Sequence, residues 1–225
     1  MVGDEYSLRL LCHHCSIPYS DLVVEMRNTP TQERSRQTLD AIMCAADALF
    51  ARKGVDGATN TEIAEEAGCS IGSLYRFFPD KEALVAEYVN RYLVALAENL
   101  KPLPEVITDD ELDRVVSDMV ERSIITRSSF AGYDHVRLWR YADGTSANDV
   151  VRDSEVALVL SLFESSTFNL PADVAERMTI VIVDGTWPLI ASLPSVSTRE
   201  RVAMSDEITF SISSYIRARA AEFAD

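Results

Sequence analysis

The stretch from Thr59 to Leu84, TNTEIAEEAGCSIGSLYRFFPDKEAL, limits the possible folds more than any other part of the chain. Thr59-Asn60-Thr61-Glu62 has the form of a capping box, in which a hydroxyl and a carboxylate satisfy each other's free backbone amides at a helix start. Gly68 ends that helix after about two turns. A second short helix is expected from around Ser70 to just before Pro79, and Asp80 caps a longer one running from Lys81 towards Leu100. Two helices that cross steeply over a tight turn need a small side chain where they nearly touch and a residue tolerant of positive φ at the bend. Ala64 and Gly68 stand at those places. Ile63, Ala67, Cys69, Leu74 and Phe77 then face inward, leaving Ser70, Gly72, Ser73 and Arg76 on a small, polar outer face. Such a face lets a helix sink into a DNA major groove. Spacing alone is equally compatible with an ordinary helical hairpin.

Upstream, Leu39, Ile42, Met43, Ala46, Leu49 and Phe50 recur at helical intervals and form one stripe of a helix from Arg34 to Lys53. Arg52 and Lys53 suit its negative end, and Gly54 supplies the exit. Cys44, beside the stripe, reads as a small packed residue. Residues 1–33 show no sustained period and are expected to be a tail. Met26, just before the polar lead-in RNTPTQERSRQ, suggests that the first 25 residues are an upstream extension. Within the tail, Cys12-His13-His14-Cys15 places four adjacent side chains that cannot all turn onto one tetrahedral ion, so no metal site is expected.

Charge restricts the function classes. The formal net charge of −15 excludes a general nucleic-acid coat, because phosphate binding depends on Lys and Arg. Residues 27–82 are less acidic, holding seven Lys/Arg against nine Asp/Glu, so any DNA contact must be local to them. Four cysteines in a chain of this size form no disulfide framework. With neither a secretory signal pattern nor an apolar run of about 20 residues, a cytoplasmic protein without membrane contact is expected. Catalysis is not expected: two of the three histidines lie in the tail, and no nucleophile elbow, zinc-protease motif or phosphate loop occurs. No cofactor is implied.

Residues 34–84 resemble the DNA-binding domain of the TetR (tetracycline-repressor-like) transcriptional regulators. The likeness covers a long first helix ending LFARKG, followed by ATNTEIAEEAGCSIGSLYRFFPDKEAL, without a gap. It implies an all-α chain in which a three-helix helix-turn-helix domain, 34–84, precedes a larger helical effector-binding and dimerisation domain, 85–225. It also implies a ligand-responsive repressor that binds a palindromic double-stranded DNA operator as a homodimer and responds to a small-molecule effector. Carried over by position, Tyr75 and Lys81 match phosphate-holding residues. Ser70, Ile71, Gly72, Ser73 and Arg76 match the stretch facing the groove, and Thr61 is placed to touch the backbone. The chemistry suits these roles, since Tyr75 offers a phenolic donor and Ile71 an apolar contact for a thymine methyl. Many relatives carry His where this chain has Phe77, which cannot bond a phosphate and is assigned to the core. That departure keeps open a second reading, a helical ligand-binding or scaffold protein with a degenerate helix-turn-helix.

Beyond Leu100, KPLPEV interrupts the helix. Leu112, Val115, Val116, Met119, Val120 and Ile124 mark one further helix, YDHVRLWRY another, and residues 147–167 a third that is apolar on more than one side and expected to be central. Pro171 and Ser197-Thr198-Arg199-Glu200 open the last two. Ile208, Ile212, Tyr215, Ile216 and Arg219 form a stripe that the resemblance assigns to a four-helix contact with a second copy, though a face packed within the chain has the same spacing. Effector candidates are the aromatic and polar residues of the middle helices: Met119, Tyr133, His135, Trp139, Phe163, Phe168 and Trp187.

Overall fold

A computed structural model describes residues 33–223 apart from 101–103 and 105. Residues 1–32 of the expected tail, with the Cys12 to Cys15 cluster and the Met26 start, lie outside the described residues, and Glu33 already belongs to the first helix. Among the described residues the chain is all-α, with nine α-helices, two 3₁₀ turns and two isolated bridges in place of a sheet. The helices are α1 (Glu33–Gly57), α2 (Asn60–Glu66), α3 (Ile71–Phe77), α4 (Lys81–Leu100), α5 (Leu112–Ser128), α6 (Tyr133–Leu138), α7 (Ala147–Glu164), α8 (Ala172–Ser192) and α9 (Thr198–Ala220). They fall into two compact units, one of residues 33–93 with 129–151, the other of 94–128 with 152–223.

In the first unit the stripe of α1 is buried as its spacing requires, with Leu39, Ile42, Met43, Ala46, Leu49 and Phe50 all at or below 5% exposure. Cys44, expected to be packed, is exposed instead, because it falls on the opposite side of the helix from that stripe. Gly54 has φ 71° and ψ 171°, so the helix kinks there and takes a further turn to Gly57. The chain returns to this unit after Ser128. The Asp47 carboxylate accepts bonds from the Tyr88 hydroxyl (2.5 Å) and the backbone amides of Gly132 (2.8 Å) and Ala131 (3.2 Å). Phe130 is wedged edge-on between Tyr88 and Tyr92, with ring centroids 5.5 Å from each. A Cβ on Gly132 would stand 2.9 Å from the Asp47 carbonyl oxygen and 2.7 Å from the Phe50 Cβ, so only glycine permits this approach.

The second unit has its own core, in which Val115, Val116, Val120 and Ile124 of α5 pack with Met178 and Ile182 of α8 and Ile208, Ile212 and Ile216 of α9. The α9 stripe is therefore an intrachain face. The partner-facing assignment of Ile208, Ile212 and Ile216 is corrected: they are at most 9% exposed, held against α5. Arg217 fixes the register of the pair, with Nε on Asp109 (2.8 Å) and Nη1 on Asp113 (2.9 Å). The side of α9 turned away carries Val202 and Phe210, the latter 69% exposed, and α8 presents Val181 and Leu189. The apolar residues of α7 expected to be central are mostly half-buried: Leu158, Val159, Leu160 and Leu162 keep partial exposure.

Candidate nucleic-acid interface and effector cavity

The corner between α2 and α3 is built by capping. Glu62 N–H donates to the Thr59 hydroxyl (3.2 Å) and Thr59 N–H to the Glu62 carboxylate (3.0 Å), closing the capping box. Lys53 also donates to Glu62 (2.6 Å); this bond, followed by those from Thr59, pulls the Glu62 carboxyl down to about 2. Gly68 turns the chain at φ 66°, with nothing within 4 Å of where its Cβ would stand, so the backbone conformation and not crowding demands glycine. The Cys69 amide closes the turn on the Ala64 carbonyl (3.0 Å). Ser70 then caps α3, its hydroxyl accepting from the Ser73 amide (3.1 Å).

This geometry sorts α3 into two faces. Leu74 and Phe77 are buried at 0% and 1%, and with Ile63 and Ala64 they form the seam between the two short helices. Thr61, Ser70, Ile71, Gly72, Tyr75 and Arg76 are exposed, and Ser73 is half-buried. The outer edge thus brings together a phenol, a guanidinium and a small apolar side chain. Lys81 sits differently from its assigned role. Its Nζ donates to the carbonyls of Ala58 (2.6 Å) and Val55 (2.8 Å), so the ammonium serves the C-terminal end of α1. Arg52 and Lys53 are likewise engaged, on Glu66 (2.5 Å) and Glu62 (2.6 Å).

The second unit holds a partly open cavity of ≈ 110 Å³ lined by α4, α5, α7, α8 and α9. Four of the seven effector candidates line it: Met119, Phe163, Phe168 and Trp187. Tyr133, His135 and Trp139 do not, because they belong to the first unit. Tyr133 is fully buried and stacked on Tyr92 with centroids 4.3 Å apart, and Trp139 donates from Nε1 to Asp56 (2.9 Å). His135 is exposed beside Gly54.

Sequence reasoning missed Glu155, which reaches the cavity from α7 at 8% exposure. Burial raises its carboxyl to about 8. A signal for it existed: Glu155 lies on the same helical stripe as Leu158, Val159 and Leu162, where an acid is out of place.

A tight two-helix corner with an exposed second helix, among nine helices without a sheet in the described residues, has the form of a helix-turn-helix. Residues 42–88 match the family described as bacterial regulatory proteins, tetR family. The helix-turn-helix domain of this chain thus belongs to the tetR family. Among curated proteins the chain is similar to an uncharacterized HTH-type transcriptional regulator of Mycobacterium tuberculosis H37Rv, at 41% identity over 26% of this chain and 29% of that protein. It is also similar to the HTH-type transcriptional repressor KstR2 of Mycolicibacterium smegmatis, at 30% identity over 48% of each. The chain thus spans half or less of the length of these relatives. The fold is shared with a tetR-family regulator from Streptomyces coelicolor (TM-score 0.61, 21% identity, 87% of this chain and 85% of that one). It is shared as well with NalD, the secondary repressor of the MexAB-OprM multidrug efflux pump in Pseudomonas aeruginosa (TM-score 0.58, 19% identity, 80% of this chain and 96% of that one). Among the described residues no helix is long and apolar enough to cross a membrane.

Proposed function

We propose that the chain is a non-enzymatic, ligand-responsive transcriptional repressor that binds a palindromic operator as a homodimer. The observation that carries this reading is the exposed edge of α3, where Ile71, Tyr75 and Arg76 stand out over a buried Leu74–Phe77 seam. Tyr75 and the hydroxyls of Thr61, Ser70 and Ser73 serve phosphates, and Ile71, Gly72 and Arg76 meet base edges. Lys81 contributes mainly by anchoring the end of α1 beneath the corner, since most of its donor capacity goes to carbonyls. With Arg52 and Lys53 also paired to carboxylates, one copy offers little positive charge to DNA, and useful affinity needs two copies on adjacent major grooves about 34 Å apart. The exposed Val181, Leu189, Val202 and Phe210 supply an apolar face for that second copy. KstR2, a repressor by name, supports the sign of regulation.

The effector occupies the cavity of the second unit. The DNA-reading part is residues 34–84, and residues 85–225 provide effector binding and dimerisation, with 129–151 built into the first unit. Occupancy favours a state in which the two α3 helices no longer match successive grooves, relayed along α4, whose residues 81–100 leave the corner and end at the cavity lining. The experiment is a pull-down of genomic fragments with the purified chain, followed by gel shifts on the enriched sequence. Enrichment of one inverted repeat, bound less well by Tyr75→Phe, is expected. Uniform, sequence-independent recovery would remove the proposal.

A further inference from the structure

The cavity is apolar almost throughout, and its hydroxyl groups are largely spoken for. Thr186 donates to its own helix at the Ile182 carbonyl (2.6 Å), and Ser166 donates to the Phe163 carbonyl (2.7 Å). Glu155 is different. The residue is more than nine-tenths buried and lines the cavity, and its carboxyl makes neither a hydrogen bond nor an ion pair among the described residues. A polar group in that condition costs stability unless something meets it. The lining contributed by α4, α5, α8 and α9 contains no Asp, Glu, Lys, Arg or His, so no charged side chain of these helices faces it across the cavity.

Resting on the reading of this cavity as the effector site, we infer that Glu155 selects a lipophilic cation: a small apolar body carrying one ammonium-type group, held by ion pairing to this carboxylate. Three observations converge on that class. An anionic effector would enter a lining without a single basic side chain, beside an acid. The rings of Phe163, Phe168 and Trp187 in the same lining attract an ammonium group through their faces. The chain's net charge of −15 raises the concentration of cations near its surface. At ≈ 110 Å³ the cavity is somewhat smaller than the ~150 Å³ apolar cavity that takes benzene, so a ligand with a ring and an ammonium group must extend through its open side.

The pairing has a signature in pH. Burial lifts the Glu155 carboxyl to about 8, which keeps it largely protonated near neutrality. A permanent cation binds the ionised form, so its entry expels a proton. Its affinity should climb roughly fifty-fold between pH 6 and pH 8, following the ionised fraction, and level off above pH 9.

The test uses the full chain without DNA, titrated calorimetrically with benzyltrimethylammonium and with neopentylbenzene, its uncharged isostere. The expected result is a steep rise with pH for the cation and none for the hydrocarbon. Glu155→Gln, checked for an unchanged helical spectrum, should flatten the cation's pH profile and weaken its binding at least tenfold at pH 8.5, leaving neopentylbenzene within threefold. If neopentylbenzene binds and the cation does not, or if Glu155→Gln keeps the rise with pH, the cation assignment fails while the cavity stands as a ligand site. If neither probe binds, the effector reading of the cavity falls with it.

Discussion

Glu155 makes a quantitative demand on the stability of the protein even without a ligand. Its folded carboxyl stands at about 8 against an ordinary 4.5, so between those values the folded state holds a proton that the unfolded state has released. Stability from this group is therefore fully present below pH 4.5 and is lost as pH rises to about 8. The full difference corresponds to roughly 5 kcal/mol, falling by at most about 1.4 kcal/mol per pH unit, and water entering the cavity makes this a ceiling. Other shifted carboxyls act elsewhere on the scale. Glu62, Glu111, Asp113, Asp143 and Asp184 are all held below their ordinary values by hydrogen bonds, with Lys53, Thr108, Arg217, Thr145 and Arg152 the leading partners, so their contributions are lost only as pH falls into the acid range. The window from pH 5 to pH 8 thus isolates Glu155. Urea unfolding at 25 °C, followed by helical circular dichroism, should show Glu155→Gln gaining on the wild type steadily through that window, by several kcal/mol at pH 8. A difference curve that stays flat from pH 5 to pH 8 would show that the carboxyl is hydrated and the argument from burial mistaken.

Other consequences are separable. In gel shifts, Tyr75→Phe should lower affinity for all DNA sequences alike, whereas Arg76→Ala should change the ranking among them. Gly132→Ala must push a Cβ against the Asp47 carbonyl and should destabilise the first unit by about 1–3 kcal/mol, read as a lower urea midpoint. Lys81→Met leaves the Val55 and Ala58 carbonyls without their charged donor and should cost about 1–3 kcal/mol in the same measurement, with a smaller effect on DNA affinity than Tyr75→Phe. Phe210→Glu, at an exposed position of α9, should yield monomers in sedimentation with helical content unchanged.

The features legible in the sequence were those governed by neighbours in the chain. The Thr59–Glu62 box, the positive φ at Gly68, the Ser70 and Asp80 caps and the inward seam of α2 and α3 depend on spacings of a few residues, and spacing is what a sequence displays. Contacts made across long separations were not legible. Nothing in the letters says that Asp47 will bond the amide of Gly132, and without that contact Tyr133, His135 and Trp139 look as fit for a cavity as Phe163 or Trp187. The faces of α9 posed a different problem. Apolar residues occur on both, at Ile208, Ile212 and Ile216 and again at Val202 and Phe210, so periodicity finds a stripe without saying what it packs against. For Glu155 the stripe was present but its environment was not, since the residues that share its cavity come from α5, α8 and α9, far away in the chain.

The most direct test of the central claim, that an outward α3 reads duplex DNA in paired copies, is the salt dependence of affinity for the repeat recovered from the genome, measured together with binding stoichiometry. Two chains per repeat and a steep linear loss of log affinity with log salt, reduced in Tyr75→Phe, are expected. A single chain per site, or an affinity indifferent to salt, would contradict that claim.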